Sequence, residues 1–115
     1  MKQIYLDNAA TTQIDERVLK AMLPYFKEKY GNPSSQHGMG EEAKSSMEKA
    51  REVIAKSINA LPEEIIFTSG GTEANNLALK GLFEAWSESG KNHIITTKIE
   101  HDSILKVCKE LESEG

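Results

Sequence analysis

The residues of this chain best placed to do chemistry are Thr68-Ser69-Gly70-Gly71-Thr72-Glu73-Ala74-Asn75-Asn76, which follow the apolar triplet Ile65-Ile66-Phe67. Three bulky apolar residues in a row predict a short strand buried on both faces. Glycine has no Cβ and tolerates positive φ, so Gly70-Gly71 permits a sharp turn. Beyond it Ala74, Leu77, Ala78, Leu82 and Ala85 fall three and four apart, the period of a helix. A strand, a glycine turn and a helix N-terminus in that order can hold an anion. The first-turn amides have no partner inside the helix, and the positive end of the helix dipole favours negative charge. Thr72 adds a hydroxyl donor at the same place. An ordinary strand-to-helix turn whose glycines only save space has the same composition, and these residues alone leave both readings open.

Three more side chains carry possible chemistry. His101 lies in Lys98-Ile99-Glu100-His101-Asp102, a second turn after an apolar strand candidate, His93-Ile94-Ile95-Thr96-Thr97. In sheets built from successive strand–turn–helix units, ligands bind outside the carboxyl ends of the strands. That topology places His101 on the same rim as the glycine turn. Histidine is also the side chain best suited to moving protons near neutral pH. His37 lies in the loop Tyr30-Gly31-Asn32-Pro33-Ser34-Ser35-Gln36-His37-Gly38, either as a solvated polar residue or as an acid/base group. Cys108 falls on the apolar side of the last helix with Ile104, Leu105 and Leu111, where a packed and inert thiol is expected.

The elements that must position these groups read as follows. Gln3-Ile4-Tyr5-Leu6 is a brief strand candidate. It leads into Asp7-Asn8-Ala9-Ala10-Thr11-Thr12, small and polar residues that form either a loop capping the next helix through Thr12 or Asp15, or a loop leaving room for a ligand. A helix is predicted over 15–30, broken near Leu23 by Pro24. Ala43, Met47, Ala50, Ile54, Ile58 and Leu61 then recur at steps of three and four, an amphipathic helix over 40–60. Helices are expected over 72–89, with Gly90 as C-cap, and over 103–114. The whole is an α/β pattern with a largely parallel sheet.

Composition bounds the function. The 115 residues suffice for one core, and 38% hydrophobic with 28% charged residues describes an ordinary globular chain. Eighteen acids against 14 bases, a net charge of −4, give no electrostatic case for nucleic acid. No apolar run approaches membrane-spanning length, and Met1-Lys2-Gln3 does not open a signal peptide. One cysteine builds no disulfide framework, so a reducing cytoplasm is expected, and no Cys/His spacing suggests a metal site.

Taken together, Tyr5-Leu6-Asp7-Asn8-Ala9-Ala10-Thr11-Thr12, the Gly31-Asn32-Pro33-Ser34-Ser35 loop with His37, Phe67 to Asn76, and Glu100-His101 resemble the cysteine desulfurases. These are pyridoxal-phosphate enzymes of the class V aminotransferase-like group. The resemblance runs the length of the chain with its motifs in family order. It is nearer to the branch serving iron–sulfur assembly and nitrogenase maturation than to the other main branch.

The resemblance implies pyridoxal 5'-phosphate as cofactor, its phosphate held at Gly71 and Thr72. It implies that His101 stacks on the pyridine ring and transfers protons, and that the loops of Asn8, Ala10 and His37 border the substrate. In the family chemistry L-cysteine forms an imine with the cofactor, and a mobile enzyme cysteine takes its sulfur, leaving L-alanine and a persulfide. A homodimer that passes sulfur to acceptor or scaffold proteins is implied as well. Family members are much longer than this chain. The lysine that forms the internal imine, the carboxylate facing the pyridine nitrogen and the persulfide-forming cysteine match positions beyond Gly115. The implied fold is therefore part of the large domain of a fold-type I pyridoxal-phosphate enzyme, a mostly parallel sheet flanked by helices. It divides into an amino-terminal segment, 1–14, and the first part of the cofactor-binding domain, 15–115. A related enzyme acting on selenocysteine or another amino acid, and a non-catalytic interaction module, remain open alternatives.

Overall fold

The computed structural model describes residues 3–115, so the first two residues of the expected segment 1–14 lie outside it. The chain forms two compact units, one running to Ile65 and the other from Ile66 to Gly115.

The first unit holds α1 (Glu16–Lys27) and α2 (Gly38–Ser57). Asp15 caps α1: its carboxylate accepts from the Arg17 amide at 2.8 Å and from the Arg17 side chain at 2.9 and 2.8 Å. Those bonds hold the Asp15 carboxyl below the usual carboxylate range. Glu16 in the first turn and Lys27 in the last complement the helix dipole. The break expected near Leu23 does not occur, and α1 continues through Pro24 to Lys27. Proline removes one amide and crowds the carbonyl four residues back, a cost of about 3 kcal/mol in a helix interior. Here the helix ends only one turn later, so little of it lies beyond the fault.

Helix α2 begins two residues earlier than the apolar period indicates, because His37 serves as its N-cap. The imidazole Nδ1 accepts from the Gly40 amide at 3.4 Å. The preceding loop folds back on this first turn. Asn32 Oδ1 accepts from the Ser34 amide at 2.9 Å, and the Asn32 carbonyl accepts from the Ser35 amide at 3.0 Å. Gly40 is buried, and a Cβ there would lie 2.8 Å from the Asn32 carbonyl oxygen and closer still to that of Ser35. Neither backbone atom can yield without moving the loop. Gly40→Ala is therefore expected to loosen residues 32–37 by about 1–3 kcal/mol, seen as faster hydrogen exchange at the Ser34 and Ser35 amides. Gly38→Ala meets nothing within 4 Å and should leave exchange there unchanged. Past α2, a short 3-10 turn, Pro62–Glu64, is closed by Glu64, whose carboxylate accepts from the Leu61 amide at 2.7 Å. Arg51 pairs with Glu48 at 3.0 Å and donates to the Ile65 carbonyl.

The second unit holds α3 (Gly71–Trp86), a 3-10 turn (Ser87–Ser89), Gly90 at φ +75°, and α4 (Asp102–Glu114); α3 ends three residues short of the expected 89. Helices α3 and α4 pack together. Asn75 Nδ2 lies 2.9 Å from Ser103 Oγ at their starts, and Lys80 Nζ lies 2.7 Å from Glu110 Oε1 further on, so the two helices run side by side in one direction. The covered face of α3 carries Asn75, Leu79 and Phe83, all half-buried, and that of α4 carries Ser103, Val107 and Leu111, all buried. Both sets have the four-residue step of one helix face. The stripe expected to be the core side of α3 is a different one, and its Leu77 and Leu82 are each 48% exposed.

The sheet expected from the α/β pattern is not formed among the described residues, whose regular structure is helical. Residues 3–7, 65–68 and 91–97 run outside any helix or strand, although Ile65 keeps extended dihedrals, φ −98° and ψ 122°. A strand exists only as one member of a ladder, so an apolar, extended segment with no neighbouring strand stays unassigned however strong its propensity.

Candidate functional site

The second unit contains the glycine turn and His101. Helix α3 starts at Gly71, and its first bond outward runs from the Ala74 amide to the Gly70 carbonyl, 3.1 Å. Space is open beside both glycines: apart from the adjoining backbone, nothing lies within 4 Å of where a Cβ would sit. The one carboxylate in this turn is drawn aside. Glu73 Oε2 accepts from the Ser69 amide at 2.7 Å and from the Ser69 hydroxyl at 2.6 Å. These bonds, the hydroxyl's first, hold the Glu73 carboxyl below its ordinary range. The charge of Glu73 is thus engaged by Ser69, at the residue before the glycine pair.

His101 is the N-cap of α4, with φ −63° and ψ 149°. Its Nδ1 accepts from the Ser103 amide at 3.1 Å and lies 2.8 Å from Ser103 Oγ, which in turn lies 2.9 Å from Asn75 Nδ2. Asn75 sits one turn into α3, four residues after Gly71. Two side-chain hydrogen bonds therefore join the first turn of α3 to His101. Beside it, the Asp102 carboxyl is held below its ordinary range, chiefly by its 2.9 Å bond to Lys106.

Asn8, Ala10 and His37 lie in the first unit. Asn8 and Ala10 belong to an exposed turn in which the Ala10 amide donates to the Asp7 carbonyl at 3.2 Å, and His37 is occupied as the cap of α2. Cys108 is half-buried and lines a groove of about 520 Å³ together with Phe83, His93, Ile94 and Leu105. That groove does not include Gly71, Thr72 or His101. Its walls are the sides of α3 and α4 and residues from Asn92 to Lys98.

The residues suit a phosphorylated, flat, aromatic ligand. Open glycines and free first-turn amides accept an anion, and an exposed imidazole with one fixed nitrogen offers a face and an edge. Sequence reasoning missed Asn75 and Ser103. Neither belongs to an apolar period, and a pairing across 28 residues leaves no trace in local spacing.

Comparison with known proteins gives the family of the chain. The profile of the aminotransferase class-V family matches residues 4–115. This chain belongs to that family. Among class-V relatives, a cysteine desulfurase IscS of Dictyoglomus turgidum is 54% identical over 114 residues, covering 99% of this chain and 29% of the relative. A putative cysteine desulfurase IscS 1 of Bacillus subtilis is 53% identical over 115 residues, covering 100% of this chain and 30% of the relative. The solved structure of a NifS-like protein matches with a TM-score of 0.90 at 50% identity, over 99% of this chain and 31% of that one. That of DndA from Streptomyces lividans matches with a TM-score of 0.80 at 45% identity, over 97% and 31%. The chain thus spans about 30% of the length of the curated relatives it matches. The resemblance read from the motifs stands, and the helices follow a class-V path even where the sheet is not formed. Among the described residues no helix is long and apolar enough to cross a membrane.

Proposed function

We propose that this chain is the amino-terminal part of a pyridoxal-phosphate-dependent cysteine desulfurase, which converts L-cysteine to L-alanine and an enzyme-bound persulfide for iron–sulfur cluster assembly. The observation that carries this reading is the bonded cluster of the Gly71 turn and His101, in a chain more than half identical to desulfurases along its length. Residues 1–14 are an amino-terminal segment and 15–115 open the cofactor-binding domain, whose mostly parallel fold-type I sheet is completed by later strands. The whole protein works in the cytoplasm as a homodimer that hands sulfur to an acceptor or scaffold protein.

In this reading the Gly71 and Thr72 amides and the Thr72 hydroxyl bind the cofactor phosphate, helped by the helix dipole. The cofactor, when bound, supplies an electron sink for chemistry at the substrate's α-carbon. His101 would face the bound cofactor and could hold or move a proton at Nε2, the nitrogen not engaged by the cap. Asn8, Ala10 and His37 border the substrate. The lysine and cysteine of the family chemistry lie outside these 115 residues, so the chain alone is inactive.

The full-length protein tests this directly. Supplied with pyridoxal phosphate and L-cysteine, it should release alanine and load sulfur onto one of its own cysteines. Thr72→Val keeps the shape of the side chain and removes its hydroxyl donor, so cofactor affinity should fall by about 1–3 kcal/mol. Equal cofactor retention by variant and parent after dialysis overturns the phosphate assignment. Absence of alanine from the loaded parent overturns the desulfurase reading.

A further inference from the structure

The cluster around His101 fixes more than a position. The Ser103 amide points at His101 Nδ1 from 3.1 Å, and a backbone N–H can only donate. Nδ1 must therefore be the acceptor nitrogen, and in the neutral ring the proton is on Nε2. The Ser103 hydroxyl is 2.8 Å from the same nitrogen, which carries no proton to give, so the hydroxyl also donates to Nδ1. Its oxygen is then left to accept, and it does so from Asn75 Nδ2 at 2.9 Å. One backbone amide sets the direction of every proton in the series.

We infer that Ser103 and Asn75 are positioning residues that hold His101 as its Nε2–H tautomer, so that any group meeting this ring from outside meets an N–H donor. Ser103 is buried and Asn75 half-buried, which shields the series from competing water. Its origin on α3, one turn beyond Gly71, ties the orientation of the imidazole to the helix whose N-terminus forms the anion site. The partner suited to Nε2 is accordingly an acceptor, such as a carboxylate or phenolate oxygen, and proton delivery from the ring runs through that nitrogen. The role given to His101 rests on the function proposed above, but the tautomer itself does not.

The test is nitrogen-15 NMR of histidine-labelled, full-length protein without cofactor, at about pH 9, above the ordinary range of histidine. The His101 signals are identified by their loss in His101→Gln. The parent should show a protonated Nε2 and an unprotonated Nδ1. Ser103→Ala removes one of the two donors to Nδ1 and should lower the Nε2–H to Nδ1–H ratio about fivefold, the worth of one ordinary hydrogen bond, drawing the two ring signals together. Ser103→Thr keeps the hydroxyl and should restore the parent spectrum. Asn75→Asp is nearly isosteric, but its carboxylate accepts the hydrogen bond of the Ser103 hydroxyl and turns that oxygen's lone pairs toward Nδ1, beside the Ser103 amide that still donates there. It should therefore shift the ratio further than Ser103→Ala, which loss of packing alone does not predict. A parent ring protonated at Nδ1, or any other order of the variants, overturns the inference. The readout needs neither cofactor nor turnover, so a protein that makes no alanine can still carry this tautomer, and an active one can lack it.

Discussion

Replacing His101 with Gln in the full-length protein is expected to lower alanine production about a hundredfold or more. Glutamine keeps a planar polar group but has neither an aromatic face nor a titrating nitrogen. The structure adds a complication, because His101 also caps α4 through Nδ1. Losing a cap costs about 1 kcal/mol of helix stability, and a frayed α4 would displace Ser103 and disturb the site without any chemical role for the ring. His101→Asn separates the two. Asparagine is among the best N-cap residues, and its Oδ1 occupies nearly the place of Nδ1, so it should keep α4 intact and still lose the hundredfold. An Asn variant close to parent activity, with an unchanged cofactor absorption band, would reduce His101 to a helix cap.

The motifs were legible because each is a local statement. Gly70-Gly71 before a helical period, and a histidine at the second turn, can be read from neighbours in the chain, and the structure joins them. Helix ends are legible to within a few residues, and the early starts of α2 and α4 share a cause. Histidine is not among the side chains ordinarily expected to cap, yet both His37 and His101 do so through Nδ1. The apolar stripes are legible as stripes, but their spacing names no neighbour. Spacing identifies Leu77 and Leu82 as one face of α3, yet α4 covers Asn75, Leu79 and Phe83. A sequence shows which residues need cover. It does not show which element supplies it, and still less a cover that lies outside the residues at hand.

That last point leads to the second large effect. Isolated, these 115 residues are expected not to unfold as one cooperative unit. Ala55, Val107 and Leu111 are the buried hydrophobic residues among those described, whereas Ile4, Leu6, Ile66, Ile95 and Ile99 are 67% exposed or more. The total exposed surface is 10075 Å². Two separate compact bodies of 65 and 50 residues would expose only about 7,500 Å² together, by the scaling of folded surface with mass, so the excess does not depend on how the two units are arranged. The uncovered surface is the kind that later strands of a class-V enzyme would hide: the apolar sides of α2 and α3 and the segments 65–68 and 91–97. Without that cover, burial is too small to offset about 1–2 kcal/mol of backbone entropy per ordered residue. The segments with strand propensity would also be open to pairing with other chains. The purified 115-residue chain should therefore bind a dye for exposed apolar surface, associate as concentration rises, and lose helix gradually in urea. It should also fail to retain pyridoxal phosphate through dialysis. The deciding measurement is urea unfolding beside sedimentation at several concentrations. A monomer with one sharp transition, of the slope about 1–3 kcal/mol per molar usual for a small two-state domain, would mean that these helices carry a core of their own.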